Sequence, residues 1–448
     1  MRPLRDDQLA TLATPCFVFD ESELAENFAS FSRALRDAWS DEAFVAYSVK
    51  TNPFPWILDI AKREGCLAEV VSDEEYALAL AAGYTAGEIV FNGPIKSRDC
   101  FRYALTEGSI VNVDSWREIM WLEEFAADGD FTANVGLRVN FDLEAACPGE
   151  TVTGASGGRF GFCRENGELA RAVARVRALG GCVRIAGLHM HVTTRSRSLG
   201  VYEALARNAA EVIREFELNE LDFVDIGGGF YGGGPKNVGA YERYASVIAD
   251  LLSPVCDPSR TKLVVEPGGA VVCTPASYFG RVLDVKETTY DRFVTCDLSR
   301  INIDHEMKKT SYAYELHLRR NAVRPDVSCD RTPEAIGGGG GVGSGVPVED
   351  RPSIPRQVLC GYTCMESDRL CALEGEPRLD VGDLVEIRNA GAYSMSFTPG
   401  FFIRYAPAVY ALDGAGELSL KRCLRHAEAR SWPCCFTNKI EEEEEDVL

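Results

Sequence analysis

The chain has 448 residues, 46% of them hydrophobic and 26% charged, an ordinary globular balance at a length that calls for two domains rather than one core. Its 68 acidic against 47 basic side chains leave a formal net charge of -21, which argues against general attraction to nucleic acid or to an anionic membrane surface. The stretch MRPLRDDQLATLATP holds no apolar run of signal-peptide length, nothing later approaches a membrane span, and the 16 cysteines show no paired CxxC spacing, so a cytoplasmic protein with reduced thiols and no metal site is expected.

A strand over 14–19 comes first, and short β-type runs then alternate with helical patterns. The runs cover 44–50, 68–71, 89–93, 110–113, 134–140, 185–191, 223–229 and 262–268. The helical patterns cover 54–64, 73–82, 97–107, 115–127, 168–179, 199–216 and 240–252, several opened by residues suited to capping, such as Ser72, Ser97 and Asp114-Ser115. Eight strand candidates with intervening helices fit a (β/α)8 barrel over 25–270 better than an open doubly wound sheet. From 271 to 425 the texture is β-rich without regular helices, and residues 10–24, which hold the early strand, are expected to join that second domain. A glycine-rich insertion, 331–355, and an acidic tail, 436–448, carry no catalytic signal.

Barrel chemistry gathers at the C-terminal ends of the strands. Lys50 ends the first run in AYSVKTNP, where burial would lower the amine's pKa and make it a nucleophile toward aldehydes. Glu69 lies in the second strand and Arg138 in the fifth; the sixth ends in GLHMHVTT and the eighth in VEPGG, with Glu266 beside a Pro-Gly turn. Gly227, Gly228 and Gly229 after the seventh let backbone N–H groups approach an anion. A lysine nucleophile, an imidazole, a carboxylate and a phosphate cradle at one mouth have a joint explanation in pyridoxal phosphate.

On these motifs the chain resembles the fold type III pyridoxal-phosphate decarboxylases, the group of ornithine and diaminopimelate decarboxylases, from about Thr14 to about Tyr410. The resemblance implies an alanine racemase-like barrel with a C-terminal all-β domain, and a carboxy-lyase that releases carbon dioxide and an amine. YSVKTNP matches the segment of the Schiff-base lysine, Lys50. GLHMHVTT matches the segment whose second histidine, His191, stacks on the cofactor ring, leaving His189 as a structural residue of the strand. GGGF matches the phosphate loop, VEPG assigns Glu266 to the pyridine nitrogen with Gly268 beside it, and GAYS supplies Tyr393 for the phosphate. Glu69 and Arg138 align with positions near the lysine and the cofactor hydroxyl. GYTCMESD resembles the segment that the family inserts across a homodimer interface, which implies shared active sites with Cys364 as a catalytic acid and Asp368 beside it.

Three departures accompany the likeness. Gly269 stands where the family writes the arginine of EPGR; Met365 follows Cys364 where an acidic residue is usual, with Glu366 one place later; and Thr194 would have to replace the serine hydroxyl of the family's Gly-Ser pair. For the substrate's distal end the segment HEMKKTSYAYELH offers Lys308 and Tyr312. A decarboxylase of a non-standard, carboxylate-bearing amino acid or conjugate is therefore expected, with diaminopimelate decarboxylase proper, an amino-acid racemase and a non-catalytic coenzyme-binding homologue as the alternatives. The cysteine motif argues against a racemase, and retention of Lys50, His191, Glu266 and Cys364 together argues against a binding module.

Overall fold

Apolar β-type runs separated by amphipathic helices leave each strand nowhere to bury both faces except between a helix layer and a shared interior. The computed structural model, which describes residues 1–127, 129–304, 306–309, 311–319, 351–395 and 406–423, shows that solution closed into a barrel. Eight parallel strands pair in the order Ala43–Ser48, Leu67–Val70, Ile89–Phe91, Ile110–Val113, Ala133–Asn140, Val183–His189, Phe223–Gly228 and Lys262–Glu266, and the last pairs back onto the first. Ala46, Val90, Phe223 and Val264 fill the interior below the mouth. Ser72 and Ser97 cap the helices Asp73–Ala81 and Arg98–Thr106 as expected, accepting from the amides of Glu75 and Cys100.

The helix Glu21–Ala38 was not anticipated from the sequence. Asp20 both ends the strand Cys16–Asp20 and caps this helix, accepting from the amides of Ser22 and Glu23, so no turn residues mark the boundary. Leu24, Phe28, Phe31 and Leu35 recur at helical spacing and are fully buried, each contributing about 1.5–3 kcal/mol by the usual transfer scale.

The second sheet has nine strands. Cys16–Asp20 lies at its centre, antiparallel to Ala276–Glu287 and parallel to Ala408–Leu412, so the early strand does join the β-rich part. Leu384–Arg388 pairs with both Ala276–Glu287 and Tyr314–His317, and Arg292–Cys296, Arg356–Cys360 and Arg369–Glu374 extend the sheet on one side. Residues 331–350 of the glycine-rich insertion and the whole acidic tail, 436–448, lie outside the described residues. Among the described residues no helix is long and apolar enough to cross a membrane.

Candidate active site

Each strand of the barrel contributes a buried polar side chain within it or just beyond its C-terminal end: Ser48, Glu69, Asn92, Asn112, Arg138, His189, Asp225 and Glu266. Barrel closure brings several of these groups within hydrogen-bond reach of one another. Asn112 donates to Asn92 at 2.8 Å, and Asn92 donates to both Glu69, at 3.2 Å, and Glu266. Ser48 donates to Glu69 at 2.6 Å. Asn92, Asn112 and Asp225 were missed from the sequence, although a lone polar residue in an otherwise apolar barrel strand is a usable signal.

Lys50 lies just past the first strand, in the short 3₁₀ turn Val49–Thr51, rather than in the strand itself. Its Nζ donates to Glu69 at 2.6 Å. The expected depression of its pKa is overturned: burial does act to lower it, but the carboxylates of Glu69 and Glu266 outweigh burial and the net direction is upward. An ammonium between two carboxylates is stabilised in its charged form.

His191 follows the end of the sixth strand, which spans Val183–His189 and not 185–191. Its Nδ1 accepts from the Gly228 amide at 3.0 Å, and its ring lies within 12° of parallel to that of His189 with centroids 6.2 Å apart. Burial, then Arg138, pushes the imidazole down to about 3, so it is neutral with its proton on Nε2. A side chain on Gly227, whose φ is +76°, would put its Cβ 2.5 Å from the Cβ of His191, and one on Gly268 would put it 1.9 Å from the Thr51 hydroxyl. Both glycines are required by close approach.

Glu266, His189 and Asp225 present ligand atoms within 4.8 Å of one another, all buried. Burial tends to raise the Glu266 carboxyl, but His189, Asp225 and His191 drive it well below the usual carboxylate range, whereas burial and Glu266 raise Asp225 well above it. The shared proton therefore sits on Asp225 and the charge on Glu266. A buried carboxylate kept anionic in this way is the group that a protonated pyridine nitrogen requires. With an amine at Lys50, the His191 ring beside it and tight glycine turns around it, the residues fit pyridoxal phosphate.

Arg138 donates to Asp114 at 3.1 Å and to the His191 carbonyl at 3.3 Å, with its guanidinium 4.6 Å from the Phe160 ring centroid. Arg138 and His191 also line a cavity of about 240 Å³ that reaches Phe160, Asn140 and Thr151. The amide of Tyr393 donates to the Thr51 carbonyl at 2.8 Å and Asn52 donates to the Gly391 carbonyl at 2.9 Å, so the loop after Leu384–Arg388 reaches the barrel mouth within the same chain. Thr194 bridges to Thr151, and Gly229 abuts the Tyr202 hydroxyl. The glycine loop needs one correction. The amides of Gly227 and Gly228 donate internally, to Asp225 Oδ1 and His191 Nδ1, and so are not free to hold an anion.

The other candidates gather on the loops of the β-rich part. Cys364 is exposed. Asp368, read from the sequence as a substrate contact, is buried and faces its own loop: it accepts from the Ser299 hydroxyl and Arg300 amide at 2.9 Å, the Thr363 hydroxyl at 2.7 Å and the Thr363 amide at 3.1 Å. Its carboxylate shapes the cysteine turn. Glu366 pairs with Arg369 at 2.8 Å, Lys308 pairs with Glu306 at 2.8 Å, and Tyr312 donates to Asp304 at 2.9 Å.

The family model described as "Pyridoxal-dependent decarboxylase, pyridoxal binding domain" matches residues 21–273. The diaminopimelate decarboxylase of Zymomonas mobilis is 30% identical over 411 residues, covering 90% of this chain and 89% of that protein. The diaminopimelate decarboxylase of Bacteroides thetaiotaomicron is 27% identical over 414 residues, covering 91% and 97%. Among solved structures, the Methanocaldococcus jannaschii diaminopimelate decarboxylase superposes with a TM-score of 0.74 at 22% identity, over 94% of this chain and 95% of that one. The Paramecium bursaria Chlorella virus arginine decarboxylase bound to agmatine gives 0.66 at 18%, over 86% and 92%. With the lysine, the neutral histidine and the buried carboxylate arranged around one barrel mouth, the chain belongs to the pyridoxal-dependent decarboxylases.

Proposed function

We propose that this decarboxylase acts on an amino acid or amino-acid conjugate other than standard diaminopimelate, as a homodimer in which the Cys364 turn of one subunit completes the site of the other. The observation that carries the substrate reading is the environment of Cys364: apolar Met365 adjoins it, Glu366, the next acid along the chain, is turned onto Arg369, and Asp368 is taken up by the hydrogen bonds of its own turn. A substrate with an ammonium at its distal end would meet no adjacent carboxylate there.

When bound, pyridoxal phosphate supplies an aldehyde for the amine and an electron sink for the carbanion that carbon dioxide leaves behind. The chain's own groups do the rest. Glu69 accepts from the Lys50 ammonium and is placed to take its proton, which frees the amine as nucleophile. Glu266, anionic and anchored by Asn92, would hold the proton on the ring nitrogen of the bound group. His191, neutral, offers a flat face without adding a competing cation, and the Cys364 thiol is the acid for the α-carbon.

The second reading, diaminopimelate decarboxylase proper, is favoured by the names of the relatives. A panel of amino acids that includes both stereoisomeric classes of diaminopimelate, with carbon dioxide and amine read by mass spectrometry, separates the two. Turnover of diaminopimelate above every other substrate would defeat the first reading and establish the second.

A further inference from the structure

Gly269 leaves a gap in the anion chemistry of this site, because it carries no side chain to meet the phosphate of the coenzyme, and the amides of Gly227 and Gly228 are already engaged. A phosphate dianion enclosed by protein needs hydrogen-bond donors and is further stabilised by a cationic partner. We propose that Arg197 is that partner, standing in for the arginine that Gly269 lacks. The proposal rests on the chain binding pyridoxal phosphate at Lys50.

Four observations place it. Arg197 adopts φ +56°, a left-handed backbone that costs a non-glycine residue about 1–2 kcal/mol and persists only where its surroundings impose it. The imposing contacts lead to the glycine loop. The Arg197 carbonyl accepts from the Tyr244 hydroxyl at 2.6 Å, and the Tyr244 ring packs against Tyr202, centroids 4.7 Å apart, and against Phe230 at 5.2 Å. Tyr202 in turn donates to the Gly228 carbonyl at 3.1 Å, and a Cβ on Gly229 would sit 3.5 Å from that same hydroxyl. One aromatic cluster therefore fixes the arginine's backbone and the glycine loop together.

The charge also reaches the other wall. Cys273 follows the turn Gly269–Val272; burial raises its thiol, while Lys309 and then Arg197 pull it down. Burial likewise raises the Tyr202 hydroxyl and Arg197 opposes it. The charge of the guanidinium is thus felt at the Tyr202 hydroxyl, which bonds the glycine loop, and at the Cys273 thiol, which follows the Gly269 turn. Arg197 is half-buried, and among the described residues its guanidinium makes no hydrogen bond or ion pair. A half-buried arginine beside the glycine loop, with no carboxylate partner among the described residues, has the charge and the fork geometry to clamp an oxyanion.

The test uses the full chain reconstituted with pyridoxal phosphate and, in parallel, with pyridoxal, which has the aldehyde and ring but no phosphate. Arg197→Ala should weaken pyridoxal phosphate by roughly 10- to 100-fold, the range of a lost charge-assisted contact, and leave pyridoxal binding within about twofold. The double variant Arg197→Ala with Gly269→Arg moves the cation to the family's position; a Cβ at Gly269 meets only the Ala392 Cβ at 3.8 Å, so the side chain has room to start. It should regain most of the lost affinity. Unchanged pyridoxal phosphate affinity in Arg197→Ala, equal weakening toward both compounds, or a double variant no better than the single would each overturn the proposal. Wild-type protein that takes up neither compound at Lys50 would instead strike at the coenzyme reading itself.

Discussion

Lys50 is the candidate nucleophile, and its surroundings show why a sequence motif locates such a residue more easily than it sets its ionisation. AYSVKTNP marks the position, but the carboxylates that raise the ammonium, Glu69 and Glu266, come from strands 19 and 216 residues away in the chain (69 − 50 and 266 − 50). Borohydride treatment of the coenzyme-bound protein should fix the label on the Lys50 peptide, and Lys50→Ala should lose turnover by at least about a thousandfold while remaining folded. Label recovered on a different lysine would refute the assignment. His191 gives a pH test. Its folded pKa is pushed down to about 3, whereas an unfolded imidazole titrates near about 6.5. Between those values the unfolded chain binds the extra proton, so stability present above about pH 6.5 falls as the pH drops, by up to about 1.4 kcal/mol per pH unit. His191→Gln should flatten that part of the acid limb in melting temperatures measured at a series of pH values; parallel curves for the two proteins would show that His191 is not held neutral. Lys50, His191 and Glu266 could be picked out because each lies at or just past the end of a strand inside a recognisable motif. Asn92, Asn112 and Asp225 could not, because their meaning lies in partners that only barrel closure supplies, and linear order does not show those partners.

At the scale of the element, the turn that carries Cys364 shows how position in a motif misleads about role. In GYTCMESD the last aspartate looks like a contact for substrate, yet Asp368 is the post around which the turn is tied. Its two oxygens take four hydrogen bonds, and the neighbouring Arg300 clasps both the Ser367 carbonyl, at 2.9 Å, and Asp304, at 2.7 Å. Asp368→Ala would leave the Ser299 and Thr363 hydroxyls and two amides without acceptors, a loss of about 3 kcal/mol. The melting temperature should fall by roughly 5 °C and turnover should drop, while pyridoxal phosphate affinity stays within about twofold, because the barrel mouth is untouched. Loss of coenzyme affinity in step with turnover would place Asp368 in the binding site after all. The helix Glu21–Ala38 is the other lesson at this scale. Its apolar spacing is plain in the sequence, but a strand that hands its last residue directly to the helix as a cap leaves no turn signal between them.

Across the whole molecule, the candidate site residues fall into two groups on different walls. Lys50, Glu69, His191 and Glu266 ring the barrel mouth, and Tyr393 reaches that mouth from its own chain through the Thr51 and Asn52 contacts. Cys364, by contrast, is exposed on a turn whose hydrogen bonds run to Leu298, Ser299 and Arg300 of the β-rich part. An exposed thiol on a rigid turn is suited to delivery into a second subunit, and a two-fold dimer delivers it reciprocally. Mixing Lys50→Ala with Cys364→Ala chains separates this arrangement from a self-contained site. Each variant alone lacks a required group in both of its sites. In the mixed dimer one site combines the intact Lys50 of one chain with the intact Cys364 of the other, and the second site lacks both. Random re-pairing of equal amounts makes half the dimers mixed, so about a quarter of wild-type activity should return. Mixtures that exchange subunits, as followed by differently tagged chains, yet stay at the level of the parents would show that each chain works with its own cysteine.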